Sequence, residues 1–193
     1  MIMGKKILVV VDMQNDFITG ALKNDEALKI IPNVEKKLKD ALDNGDEIIF
    51  TMDTHEKDYL ETEEGKNLPV THCIDKTNGW EICSELRSIY EKGEYQDRIR
   101  FISKETFGSK KLGEYIEEIG RDAEISQIEL VGICTDICVI SNALLSKAYA
   151  PNVPVYVDAA CCAGVTPTSH DTAIAAMEAC HIHINNKGAE PWR

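Results

Sequence analysis

Runs of β-branched and other apolar residues alternate along the chain with stretches in which apolar positions recur every three or four residues. The first run, KKILVVVD (Lys5–Asp12), is apolar at successive positions, which predicts a strand buried on both faces, as at the centre of a parallel sheet. Pro32 is placed to open a helix through IPNVEKKLKDALDNG, with Val34, Leu38, Ala41 and Leu42 as its buried stripe and Gly45 as its stop. DEIIFTMD (Asp46–Asp53) predicts a second strand. Residues 54–79 show no period and contain Gly65, Pro69 and Gly79; a loop of this length inside a compact domain is usually functional. A helix is expected near Glu81–Glu91 and a third strand over IRFISK (Ile99–Lys104). Ser109 can cap a helix running through Ile119, before a fourth strand over IELVGI (Ile128–Ile133). Asp136 begins the next helix, VPVYVDA (Val153–Ala159) is a fifth strand, Thr168 caps a helix to Cys180, and His181–Ile184 is a short sixth strand.

Strands alternating with helices imply an α/β fold built on a parallel sheet with right-handed crossovers. Ligands in such sheets lie beyond the carboxyl ends of the strands, so polar residues should gather where strands stop. Strand one ends at Asp12, strand two at Asp53, strand three at Lys104, and strand four runs into Cys134, Thr135, Asp136 and Cys138. Two acids, a base and a thiol are thereby delivered to one edge.

Composition narrows the function class. The 193 residues suit one domain, spanning 1–193, and 44% apolar with 28% charged residues is an ordinary globular balance. A net charge of −12 argues against nucleic acid, which needs a surplus of lysine and arginine, and against an anionic membrane surface. The apolar run Ile7–Val11 is too short for a signal peptide or a span, and seven cysteines without such a peptide point to free thiols in a reducing cytoplasm.

Cys138, in VGICTDICV, falls just inside an expected helix start, where unpaired N–H groups and the helix dipole favour a thiolate. With Asp12 as proton acceptor and Lys104 stabilising charge, it could attack a carbonyl carbon; it could equally be a core cysteine. Backbone N–H groups around Cys134 and Cys138 could hold an oxyanion. Asp53 and His55 form a D-x-H pair at the end of strand two, with His72 in the following loop. Two imidazoles and a carboxylate suit zinc, iron or manganese, but two loop histidines are as readily solvated. Glu61 and Glu64 lie between them and either could add a fourth ligand. Phe17 is core or a wall of the site. Adjacent Cys161 and Cys162 after strand five, Asp158 as a turn cap, and His170, His181 and His183 carry no assigned chemistry.

Three segments, VVVDMQNDF at 9–17, FISKETFGS at 101–109 and VGICTDICV at 131–139, resemble the signature segments of the isochorismatase-like cysteine hydrolases, most closely those of the nicotinamidases, in the same order and spacing. The resemblance spans nearly the whole chain. It implies a Rossmann-like three-layer sandwich with a six-stranded parallel sheet and a catalytic triad of Asp12, Lys104 and Cys138. It also implies a cis peptide at Ile133–Cys134 that turns the Cys134 and Cys138 amides into an oxyanion hole. By the same resemblance Asp53, His55 and His72 hold a divalent metal, zinc in the first place with iron or manganese as alternatives, and Phe17 and Ile137 line the substrate. The chain departs from the nicotinamidase pattern in lacking an aromatic residue ahead of Pro69 and immediately before the nucleophile, where Ile137 stands, so a flat ring finds fewer stacking partners.

The activity implied is hydrolysis of a small carboxamide, nicotinamide or similar, to acid and ammonia through a cysteine thioester. The alternatives within the superfamily are an isochorismatase cleaving a vinyl ether and an amidase acting on carbamoyl or ureido groups such as N-carbamoylsarcosine or ureidoacrylate. A non-catalytic interaction domain is the fourth reading, against which the three triad residues speak together. Small-molecule amides are the expected partners, and association into homo-oligomers is expected from the resemblance.

Overall fold

A computed structural model describes residues 4–91 and 95–193. Its centre is a six-stranded sheet in the order β3-β2-β1-β4-β5-β6, parallel at every pairing. The strands are β1 (Lys5–Val11), β2 (Glu47–Asp53), β3 (Ile99–Lys104), β4 (Ile125–Ile133), β5 (Val155–Ala163) and β6 (His183–Asn185). Side chains of β1 alternate between two cores from Ile7 onward, which is why Ile7–Val11 has no polar member. Leu8 and Val10 pack with Phe50 of β2 beneath α2 (Asp25–Asn44), which follows the four-residue α1 (Asn15–Ile18), and α4 (Ser84–Tyr90). Ile7, Val9 and Val11 pack on the other face beneath α5 (Lys110–Asp122), α6 (Ile140–Tyr149) and α7 (Pro167–Ala179). Helices therefore cover both faces, giving the three layers expected. No helix among the described residues is long and apolar enough to cross a membrane.

Several local expectations are corrected. α2 begins at Asp25, not at Pro32. The Asn24 side chain accepts the N–H groups of Glu26 and Ala27, and Ala27, Ile30 and Ile31 already belong to the buried stripe. Pro32 sits inside the helix; the carbonyl its missing N–H would have met belongs to Leu28, on the exposed side where water can replace it. Gly45 does end the helix, at φ 82°. The cap of α7 is Thr166 rather than Thr168, in a reciprocal pair with Ser169 that places Pro167 at the first helical position. β5 runs on to Ala163, so Cys161 and Cys162 are strand residues and Asp158 lies mid-strand. There the Asp158 carboxylate accepts the N–H of Ala160 at 3.1 Å, within the strand and not at its end, and pairs with Lys37 of α2 at 2.7 Å. The aperiodic stretch 54–79 is mostly loop, with one 3-10 turn (Tyr59–Glu61) and a short helix α3 (Glu63–Asn67) capped by Thr62.

The end of β4 is shaped by close approach. Gly132 has φ 116°, and a Cβ there would stand 2.1 Å from the carbonyl oxygen of Val11. The following Ile133–Cys134 peptide is cis, as the resemblance implied. The chain then makes one wide turn with π-helical hydrogen bonding, Thr135–Val139, before α6, so Asp136 does not begin an α-helix; its carboxylate instead accepts the N–H of Val165.

Candidate active site

The carboxyl ends of β1, β2, β3 and β4 bring the predicted residues together. Asp12 follows β1 in a left-handed conformation (φ 48°), which aspartate tolerates and which turns its carboxylate inward. Thr51, the one polar residue within the apolar part of β2, donates its hydroxyl to Asp12 Oδ1 at 2.7 Å. Lys104 ends β3 with its side chain almost wholly buried. Its Nζ lies 2.7 Å from Asp12 Oδ2, 2.9 Å from Asp53 Oδ1 and 3.5 Å from Cys138 Sγ. A single ammonium thus touches both acids and the thiol. The contact with Asp12 Oδ2 is a charge contact without hydrogen-bond alignment, which leaves that oxygen as the one buried polar side-chain atom among the described residues lacking a hydrogen-bond partner.

Charge states follow from this burial. Burial pushes the Cys138 thiol well above its ordinary value; Asp12 adds to the rise and Lys104 opposes it. The expectation of a resting thiolate is therefore corrected: complete burial in the turn ahead of α6 favours the neutral thiol of Cys138, and the nearby Asp12 carboxylate adds to that effect. Burial also raises Asp12, against the pull of Lys104. Lys104 is held well above its ordinary value: burial opposes its charge, but Asp12 and Asp53 overcome that cost.

On the other side of Lys104, Asp53 Oδ2 lies 3.0 Å from His55 Nε2 and 3.3 Å from His72 Nε2, and Glu64 Oε1 lies 3.5 Å from His55 Nε2. Both histidines are buried, so neither is a solvated loop residue. The ligand atoms of Asp53, His55, Glu64 and His72 all fall within 4.8 Å of one another, and Glu61 is exposed and outside the group. The Nδ1–H of His72 donates to the carbonyl of Val70 at 2.7 Å, which in the neutral ring leaves the Nε2 lone pair facing Asp53 Oδ2; although burial opposes it, Asp53 and that carbonyl push the imidazole above its ordinary value, favouring a proton there. Lone pairs converging in this way need a proton or a cation between them, and two imidazoles with carboxylates suit a divalent metal. Although burial opposes it, the imidazoles and Lys104 hold the Asp53 carboxyl far below its usual range.

Phe17 packs edge-on against His72 at 5.5 Å between ring centroids, and both Phe17 and Ile137 line the cavity that opens above Cys138. His170 is buried at 2.8 Å from the Thr135 hydroxyl, behind the nucleophile turn, whereas His181 and His183 are exposed and far from it in the fold.

Sequence reasoning missed three organisers. The Gln14 side chain donates to the carbonyls of Asp53 and Trp80 and accepts the N–H of Asp53, tying β1 to β2. Asp16 accepts the N–H of Cys73 at 2.8 Å and so anchors the loop carrying His72. Asn142 of α6 reaches the carbonyl of Cys138. The available signal was a polar residue in an apolar context, as at Thr51 and Asn142, which requires a buried partner.

The profile of the Isochorismatase domain family matches residues 6–186. An isochorismatase family protein of Bacillus subtilis, PncA, is 30% identical over 143 residues, which cover 72% of this chain and 77% of that protein. Among solved structures, the pyrazinamidase/nicotinamidase of Streptococcus mutans superposes with a TM-score of 0.81 at 27% identity, covering 93% of this chain and 99% of its own. The pyrazinamidase of Pyrococcus horikoshii in complex with zinc superposes with a TM-score of 0.77 at 26% identity, covering 93% and 98%.

Proposed function

The chain belongs to the isochorismatase domain family, and from that premise we propose that it is a cysteine amidohydrolase of nicotinamidase type, converting a small primary carboxamide and water to the acid and ammonia. The observation that carries this reading is the placement of one ammonium, Lys104, in simultaneous contact with Asp12, Asp53 and the Cys138 sulfur.

The resting thiol needs a base. Asp12, whose Oδ2 is left with a free lone pair, takes the Sγ proton as the sulfur adds to the carbonyl carbon. The carbonyl π pair moves to oxygen and is held by the backbone N–H groups of Cys134 and Cys138. Collapse breaks the C–N bond, Asp12 returns its proton to nitrogen, and ammonia leaves. Water then adds to the thioester with Asp12 accepting its proton; the C–S bond breaks and the thiol is reprotonated. Lys104 stays charged throughout and offsets the negative charge that passes between sulfur, carboxylate and oxyanion.

Asp53 Oδ2, His55 Nε2 and His72 Nε2 would hold a divalent ion, with Glu64 as a further ligand. The ion, zinc in the first place with iron or manganese as alternatives, would supply Lewis acidity toward a water or a ring nitrogen beside the nucleophile. Seven free cysteines fit a cytoplasmic enzyme. The carboxylated substrates of isochorismatases and of carbamoyl-amino-acid amidases fit less well, because acids outnumber cations at the cavity mouth.

Ammonia release from a panel that includes nicotinamide, with the protein and its Cys138→Ala variant, tests the reading. Turnover is expected to fall by about three orders of magnitude or more in the variant. Equal rates in both would remove Cys138 from the chemistry and the amidase reading with it.

A further inference from the structure

The cavity above Cys138 has a volume of about 1180 Å³, larger than the roughly 300–1,000 Å³ that encloses a drug-sized ligand. Buried Asp53, His72 and Cys138 form its polar floor; its mouth is of a different character. Leu22, Leu68, Phe107, Ile137 and Val165 come from five separate segments and converge on that mouth. Three of them are substantially exposed, Leu68 at 37%, Phe107 at 42% and Val165 at 55%. Isolated exposed apolar residues are ordinary, but a contiguous group rimmed by polar side chains at a cavity entrance marks a surface that something covers.

The charges around it say what kind of group. Beyond the candidate metal ligands, Asp25, Glu26 and Glu63 border the same cavity. Among the described residues lining it, Lys23 is the only cation, and its ammonium is 3.1 Å from Asp25 and so already paired. A carboxylate seated on the rim would meet a negative field with no free lysine or arginine among the described lining residues, whereas an uncharged apolar group would meet matching surface.

We propose that this rim is a subsite for the apolar extension of an uncharged primary carboxamide larger than a single ring, so that the enzyme selects amides carrying an aryl or alkyl substituent and rejects carboxylated ones. The proposal rests on the amidase reading and specifies its substrate class. The amide group reaches the floor and reacts with Cys138, while the substituent lies over Leu68, Phe107 and Val165.

The test compares specificity constants for nicotinamide, a phenyl-substituted nicotinamide and its carboxyphenyl analogue, in the unaltered enzyme and in Leu68→Asp and Val165→Asp. The phenyl-substituted amide is expected to match or exceed nicotinamide, and the carboxyphenyl analogue to fall below it by about tenfold or more. Each aspartate variant should lower the ratio of phenyl-substituted amide to nicotinamide by about tenfold, a ratio that loss of folded enzyme leaves untouched. Turnover of nicotinamide without turnover of the phenyl-substituted amide, or an unchanged ratio in both variants, overturns the subsite while leaving the amidase reading standing. No turnover of any amide overturns that reading and the subsite together. If a second copy of the chain covers the rim instead, both variants shift the oligomer toward monomer in a sizing experiment, and that result also overturns the subsite.

Discussion

The Asn142 side chain, buried in α6, donates to the carbonyl oxygen of Cys138 at 2.8 Å. The same amide group also donates to the carbonyl of Phe107 at 3.0 Å and accepts the N–H of Ser109, the cap of α5, at 2.9 Å. One side chain thus joins the nucleophile turn to the loop that follows Lys104, and fixes the distance between the thiol and the ammonium. Asn142→Leu fills the space but leaves the buried Ser109 N–H without its acceptor and removes a donor from the carbonyls of Cys138 and Phe107. Its expected cost is about 2–4 kcal/mol of unfolding free energy, with kcat reduced more than KM is raised, because the misplacement affects the reacting atoms rather than binding. Urea unfolding and steady-state kinetics check this; a variant within about 0.5 kcal/mol of the parent would show that the network is dispensable.

The relation between Asp12 and Cys138 predicts opposite changes in reactivity and turnover. Asp12 raises the thiol, while Lys104 lowers it. Removing the carboxylate in Asp12→Asn leaves Lys104 beside the sulfur without its counterweight, so the thiol titrates at lower pH. Alkylation of Cys138 by iodoacetamide should accelerate at neutral pH, while amide turnover drops by about 10²–10⁴-fold for want of a proton acceptor. Mass spectrometry of the labelled peptide across a pH series reads the first quantity. Slower labelling in the variant would mean that Asp12 does not act on the thiol through its charge.

Metal dependence should divide along the same geometry. His55→Ala and His72→Ala each remove a nitrogen from the group that includes Asp53 and Glu64. Elemental analysis of the purified proteins is expected to find a divalent ion in the parent and about 10–100-fold weaker retention in each variant. Chelation should depress turnover while labelling of Cys138 continues, since the thiol contacts Lys104 rather than the histidines. An unaltered metal content in both variants would place the ion, if any, elsewhere.

The strand ends were legible because the rule that governs them is local. A parallel strand is an apolar run, and the first polar residue after it marks the edge where ligands bind, which located Asp12, Asp53, Lys104 and Cys138 without any coordinates. What escaped depends on distant partners. Asn142 reads as an ordinary helix residue until Phe107 and Ser109 are folded against it. Glu64 was indistinguishable from Glu61 in ETEEGK, and the Thr62 cap decides between them by starting α3 so that Glu64 faces His55. The start of α2 was misplaced because Pro32 is a stronger signal by itself than Asn24, yet the buried stripe from Ala27 onward outweighs one lost hydrogen bond. The thiolate expectation failed for an electrostatic reason: the sequence places a cysteine near N–H groups but does not reveal how completely it is buried beside a carboxylate.

The last four residues bear on stability through pH. Thr135, which opens the nucleophile turn, shares a 2.8 Å hydrogen bond with His170 Nδ1, and His170 Nε2 lies 3.3 Å from Glu190 Oε1. With Glu190 ionised, Nε2 carries the proton and Nδ1 accepts from the threonine hydroxyl. Burial holds His170 below its ordinary 6.5, against the pull of Glu190. Glu190, although buried, is held at about 2 by the Arg193 guanidinium and by backbone N–H groups including that of Gly188. Both folded groups are depressed, so both make the unfolded chain the better proton acceptor as pH falls. His170 withdraws stability as pH drops below about 6.5, and Glu190 withdraws about 2 kcal/mol more between about 4.5 and 2, a figure discounted for solvent around the half-exposed Arg193. Urea midpoints measured from about pH 8 down to about pH 3 should therefore decline in two stages, the lower one shared with Asp53, whose carboxyl is also held below its usual range. His170→Gln keeps a donor and an acceptor but does not titrate, and should abolish the upper stage while leaving the lower one. A variant that declines in parallel with the parent across the upper range would assign that loss to other groups.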